Sequence, residues 1–118
     1  MADLIAPLIT PQELTALRAT EDHVTAPLVL DVRGPSEFAS GHVAGALNIP
    51  LSQLVRKVKQ LPRDRQIVTY CMMHHRGESR GERGAALLRE HGFDARALDG
   101  GLPAWQDARL PVEAPAQV

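Results

Sequence analysis

Short strand-like runs recur along the chain, with helix-patterned stretches between them. PLVLDV (residues 27–32), QIVTYC (66–71) and DARALD (94–99) each span six residues, too few for a stable helix. PLVLDV is continuously apolar and β-branched at its end, the pattern of a strand covered on both faces. ALNIP (46–50) reads as a further short strand stopped by Pro50. Alternation of this kind predicts an α/β sandwich, a mostly parallel central sheet flanked by helices.

The intervening segments carry helix signals. After the apolar run LIT (8–10), Thr10, Pro11 and Glu13 supply an N-cap, an N1 proline and a capping-box acid, so a helix is expected from Pro11 to about Arg18. Leu51, Leu54, Val55, Val58 and Leu61 recur at helical spacing with basic residues between them. GERGAALLREHGF (81–93) reads as a helix stopped at Gly92, which suits a left-handed C′ position. PSE (35–37) predicts one helical turn closed by Gly41, and a short helix is expected around Trp105 before a proline-rich end.

A chain of 118 residues suits one domain, with a core at about residues 9–113 and a frayed tail at 114–118. A net charge of -1 argues against nucleic acid as partner. The N-terminus lacks a basic segment and carries Asp3, unlike a signal peptide, and no apolar run approaches a membrane span. The single cysteine, Cys71, excludes an intrachain disulfide and a four-thiolate metal site. The expected setting is a reducing cytoplasm without a membrane partner.

Cys71 closes a strand and precedes the loop MMHHRGESR. Ligands of open α/β sheets bind at the carboxyl ends of strands, and a following helix N-terminus offers unpaired N–H groups and partial positive charge. Arg76, Arg80 and Arg83 add fixed charge. Such surroundings favour a thiolate and hold an anion, so thiolate chemistry on an anionic substrate is expected. The alternative, a buried cysteine packing as a small hydrophobe, fits a Gly/Arg/His loop poorly.

Three markers in order then resemble the single-domain rhodaneses, a sulfurtransferase family. LVLDVRGPSEFASGHVAGALNIP matches the family's Asp-x-Arg…Glu-Phe…Gly-His…Asn-Ile-Pro signature, IVTYC leads to the active cysteine, and LDGGLPAWQDARLPVE matches the Gly-Gly…Trp…Pro-Val ending. The resemblance runs from about Ile9 to Glu113. It implies a rhodanese-like three-layer sandwich and a persulfide mechanism with Cys71 as nucleophile. Met72, Met73, His74, His75, Arg76 and Gly77 would form the substrate cradle, with Arg76 the main cation and Arg80 a second candidate. The donor would be a small sulfur-bearing anion such as thiosulfate. The acceptor would be cyanide, a dithiol or a protein thiol. No metal or organic cofactor is implied.

The loop departs from the family pattern. His74 stands where glycine is common, and GESRGER adds residues before GAALL, either lengthening the loop or starting the helix early. Rhodanese-fold phosphatases and arsenate reductases use Cys-x5-Arg to wrap an oxyanion; here the sixth position after Cys71 is Gly77, with Arg76 one place too early, although Arg80 could fold back. A soft-metal site on Cys71, Met72, Met73, His74 and His75 is disfavoured, because adjacent histidines in extended chain point apart. A non-enzymatic rhodanese-like binding module would ordinarily lack the cysteine. A cysteine protease needs a positioned histidine, and only His74 and His75 stand near.

Outside the loop, Asp31, Arg33 and Glu37 are expected to form a hydrogen-bonded network tying the strand end to the next turn, rather than to catalyse. His42 is expected to be structural. Gly100 and Gly101 should make a tight turn, Trp105 should pack in or at the rim of the core, and VRKVKQ should be a solvated helix face.

Overall fold

The carboxyl end of one central strand, where Cys71 stands, is the reference point for the architecture. The computed structural model describes residues 7–20, 26–72 and 79–114. Strands β1 (Leu8–Ile9), β2 (Leu28–Asp31), β4 (Leu47–Asn48), β5 (Ile67–Tyr70) and β6 (Ala95–Leu98) form one sheet in the order β1-β6-β5-β2-β4. Every pairing in it is parallel, and β5 sits at its centre with Leu30 opposite Thr69 and Asp31 opposite Tyr70. Parallel order forces each connection to cross a face of the sheet, which is where the helices lie.

Alternate side chains of the strands serve two cores. On one face Leu28, Leu30, Val32 and Ile67 meet Leu54, Val58 and Leu61 and the apolar side of α4 (Arg80–Glu90), including Ala85 and Leu88. On the other, Val29, Val68 and Tyr70 meet Leu14 of α1 (Pro11–Thr20) and Leu102 and Trp105 of α5 (Gly101–Asp107). Phe38 of α2 (Pro35–Ser40) packs at the margin of the second core. This is an α/β fold with helices on both sides of a parallel sheet, as the alternating runs predicted.

Several expectations need adjustment. LIT contributes a strand: Leu8 and Ile9 pair with Ala97 and Leu98, and β1 is too short for a period-2 signal. The 51–61 helix is broken into a 3-10 turn (Leu51–Gln53), one α turn, α3 (Leu54–Lys57), and a second 3-10 turn (Val58–Gln60). Leu54, Val58 and Leu61 face inward, but Val55 is 51% exposed, because it follows Leu54 directly around the helix. The proline-rich end is in part ordered: β7 (Val112–Glu113) pairs antiparallel with β3 (His42–Val43) in a separate two-stranded sheet. The Trp105 indole N–H anchors it by donating to the Pro111 carbonyl at 2.8 Å. Of the expected frayed tail, residues 115–118 lie outside the described residues.

Other signals hold. Thr10 and Glu13 exchange capping bonds of 2.9 and 3.0 Å. Gly92 takes φ 89° just beyond α4, and Gly100 and Gly101 take φ 81° and 60° at the entry to α5. A Cβ on Gly100 would stand 2.5 Å from that of Ala104, so this turn requires glycine.

Candidate active site

Cys71 follows the last residue of β5 and is buried, 1% exposed. Its backbone is held from two sides. The Tyr70 carbonyl before it accepts the Val32 N–H at 3.1 Å, and its own carbonyl accepts the Leu102 N–H, from the first turn of α5, at 2.9 Å. Parallel pairing aligns the strand ends, so Asp31, Asn48 and Cys71 share one edge of the sheet.

The helix after the loop is fixed to the same point. Ser79 is its N-cap: the hydroxyl oxygen accepts the Glu82 N–H at 3.0 Å and the hydroxyl donates to the Glu82 carboxylate at 3.3 Å. This serine N-cap was available in the sequence and places the helix start at Arg80, one residue before the expected Gly81. The helix thus starts early, four residues before Gly84, the second of the two arrangements left open above. Gly81 lets the first turn lie directly on the strand end; a Cβ there would be 2.8 Å from Tyr70 Cα and 3.2 Å from the Cys71 nitrogen. The Thr69 hydroxyl fastens the contact by donating to the Gly81 carbonyl at 2.5 Å.

Arg80 opens this helix, one residue before the Gly81 contact with the strand end. Its guanidinium donates to both Glu37 oxygens at 3.0 Å, and Glu37 also accepts the Gly34 N–H at 3.0 Å. The Arg80 hydrogen bonds first, and the Gly34 bond second, hold the Glu37 carboxyl down to about 2. Glu37 in turn raises the Arg80 pKa, with smaller electrostatic attractions from Cys71 and Asp31 in the same direction. Arg80 is therefore within electrostatic reach of the thiol while tethered to α2.

The expected Asp31–Arg33–Glu37 network is rearranged accordingly. Asp31 and Arg33 form a buried pair, with the Arg33 guanidinium at 2.6–3.0 Å from the carboxylate and 2.6 Å from the Gly41 carbonyl. Glu37 leaves that pair and turns to Arg80. Asn48 seals the strand ends by donating to the Asp31 and Arg33 carbonyls at 3.0 and 2.9 Å. The Tyr70 hydroxyl accepts the Val43 N–H at 2.9 Å, and burial, followed by the Asp31 charge, pushes its pKa up. His42 is structural: Nδ1 lies 2.8 Å from the Phe38 carbonyl, and its ring stacks on Phe38 at 3.7 Å.

Of the sequence candidates, Arg80 opens the helix whose first turn lies against the strand end at Cys71, and Met72, next in the chain, has 44% of its surface exposed. Met73, His74, His75, Arg76 and Gly77 lie outside the described residues. Among the described residues no cluster of histidine, cysteine or carboxylate groups could hold a metal, and no helix is long and apolar enough to cross a membrane. Sequence reasoning missed Glu37 as the partner of Arg80, because nothing local in the sequence links positions 43 residues apart.

The family model of the rhodanese-like domain matches residues 10–108. The chain belongs to the rhodanese-like family. The thiosulfate sulfurtransferase GlpE of Shewanella oneidensis is 36% identical over 81 residues, covering 68% of this chain and 76% of that protein. The HTH-type transcriptional regulator Rv0324 of Mycobacterium tuberculosis is 36% identical over 92 residues, or 76% of this chain, but the match spans only 39% of the regulator. A rhodanese-related protein from Thermoplasma volcanium superposes with a TM-score of 0.75 at 29% identity, covering 91% of this chain and 97% of that one. The rhodanese domain thus occurs both nearly alone and within longer proteins.

Proposed function

We infer that this rhodanese domain is a sulfurtransferase that moves a sulfane sulfur through a Cys71 persulfide. The observation that carries the reading is the placement of the one thiol at the carboxyl end of the central strand, against the first turn of α4 and within reach of the Arg80 charge. A positive charge and a helix N-terminus stabilise a sulfur anion. In the first half-reaction the Cys71 thiolate attacks the outer sulfur of thiosulfate. The Cys71 Sγ–S bond forms, the donor S–S bond breaks, and sulfite leaves with the bonding pair. In the second, cyanide or a thiolate attacks the outer sulfur and Cys71 leaves as thiolate. Covalent storage between the two makes the kinetics ping-pong.

The similarity to a protein named thiosulfate sulfurtransferase supports thiosulfate as donor. The engagement of Arg80 by Glu37 weighs against the phosphatase or arsenate-reductase reading, which needs that arginine folded into the loop. Thiol chemistry of this kind suits a reducing cytoplasm. The test is intact mass after thiosulfate and again after cyanide. A gain of one sulfur atom, absent in Cys71→Ser and removed by cyanide, is expected. No gain on a protein with a demonstrably reduced thiol overturns the reading.

A further inference from the structure

We propose that the basic turn around α3, together with Met72, is the docking surface for the sulfur acceptor, an acidic protein segment that carries the receiving thiol. The proposal rests on the sulfurtransferase reading and names the partner class of the same site.

The charge distribution is the first observation. Between Glu37 and Asp64 the sequence has no acidic residue, whereas Arg56, Lys57, Lys59 and Arg63 fall within it, in a chain whose net charge is only -1. Arg56 and Lys59 are exposed, and among the described residues no ion pair engages Arg56, Lys57 or Lys59. Arg63 is used internally, donating to the His91 carbonyl at 2.8 Å and covering the Phe93 ring. A helix face that served solubility alone would mix signs, as most protein surfaces do.

Location is the second. The Val32 N–H donates to the Tyr70 carbonyl, and the Val32 carbonyl accepts the Leu51 N–H at 3.0 Å. The α3 segment therefore starts two hydrogen bonds from the residue before Cys71. At about 1.5–2 Å of rise per residue, Arg56 and Lys59 lie roughly 8–16 Å along the helical turns from that edge. A partner covering about 800 Å² reaches both them and the thiol. Leu54 meets α4 at Gly84, where a Cβ would be 3.6 Å from its Cδ2. The chain neighbours of that contact, Val55 and Arg83, are both exposed, and Arg83 adds charge of the same sign.

Apolar exposure is the third. Among the described residues the large exposed apolar side chains are Leu47, Val55, Met72 and Val112. Val55 stands on α3 between Leu54 and Arg56, Met72 directly follows Cys71, and Leu47 lies on the edge strand that leads into the α3 segment, paired with Leu30. An apolar centre with a basic rim fits a protein better than a phosphate backbone, which asks for a longer row of cations. Cys71 itself is nearly inaccessible, so the acceptor must be guided to it. The transfer is balanced: the partner thiolate attacks the outer sulfur, a new S–S bond forms on the partner, and the Cys71 S–S bond breaks with its electrons returning to Cys71.

The experiment loads the full chain with thiosulfate, verifies the added sulfur by mass, and follows its discharge by two synthetic single-cysteine peptides. One has glutamates and leucines flanking the cysteine, and the other has lysines and leucines. The acidic peptide should discharge Cys71 about tenfold faster at about 20 mM salt, and the advantage should shrink below about twofold at about 0.5 M. Arg56→Glu with Lys59→Glu should reverse the preference, and Arg56→Gln with Lys59→Gln should abolish it, both with unchanged cyanide turnover. Normal loading with equal peptide rates, or a preference that neither double variant changes, overturns the docking proposal and leaves the sulfurtransferase intact. So does binding of single-stranded RNA or anionic phosphatidylserine vesicles that depends on Arg56 and Lys59 while the peptides show no preference. Failure to load sulfur overturns the parent reading and this proposal with it.

Discussion

The Arg80 guanidinium and the Glu37 carboxylate face each other through two parallel bonds of 3.0 Å, joining the first residue of α4 to the first turn of α2. The pair extends a chain of contacts from the site to α2. Cys71 is tied to Tyr70 by the chain, Tyr70 to Gly81 by contact, and Arg80 to Glu37 by charge. The cation that opens α4 is consequently shared with a carboxylate.

Replacing Glu37 should reveal both parts of that relationship. Both side chains are substantially exposed, so the pair contributes only about 0.5–1 kcal/mol. Because the folded Glu37 pKa is lowered to about 2 from 4.5, the contribution is present above about pH 4.5 and is lost as pH falls toward 2. Urea unfolding of Glu37→Gln should show the deficit at pH 7 and little or none near pH 2. An equal deficit at both values would mean that Glu37 acts through packing rather than charge.

Gly81 and Gly84 should respond in opposite directions to alanine. At Gly81 the new methyl would meet backbone at 2.8 Å, which no side-chain motion relieves, so a loss of about 1–3 kcal/mol and of sulfur transfer is expected. At Gly84 the neighbours stand at 3.4–3.6 Å, ordinary contact, and alanine in a helix interior gains up to about 1 kcal/mol. Thermal unfolding of the two variants side by side checks this.

The buried Asp31–Arg33 pair is a structural element, and its loss should read as one. Asp31→Ala leaves a guanidinium that is 3% exposed without its carboxylate and should cost about 3–5 kcal/mol. Turnover measured per folded molecule should stay near that of the parent. A folded variant with abolished turnover would give Asp31 a part in the chemistry.

Cys71→Ser exchanges a buried thiol for a hydroxyl of similar size. The cost should be about 1–3 kcal/mol, and the protein should still unfold cooperatively. Sulfur transfer should fall below detection, because a serine forms no persulfide. Circular dichroism and the thiosulfate–cyanide assay together separate the two effects.

Trp105→Phe removes the indole donor to the Pro111 carbonyl while keeping an aromatic core residue. Amide exchange at β7 should rise, whereas exchange in β5 should not. Parallel acceleration in both would show that Trp105 supports the whole sheet.

The alternating short runs determined the layer architecture, because a continuously apolar strand must hide both faces and a parallel neighbour needs a covering crossover. The position of Cys71 at a strand end followed from the same pattern, and the caps at Thr10 and Ser79 are local enough to be written in four residues each. Local sequence could not reveal the two-residue strands β1 and β7, whose order comes entirely from their partners. Nor could it decide which acid Arg80 meets. Asp31, Glu37 and Arg33 lie within seven residues, and only the crossing of α4 over the end of β5 brings Arg80 to Glu37 and leaves Asp31 to Arg33. Hydrophobic period is a property of a segment; the pairing of charges is a property of where segments meet.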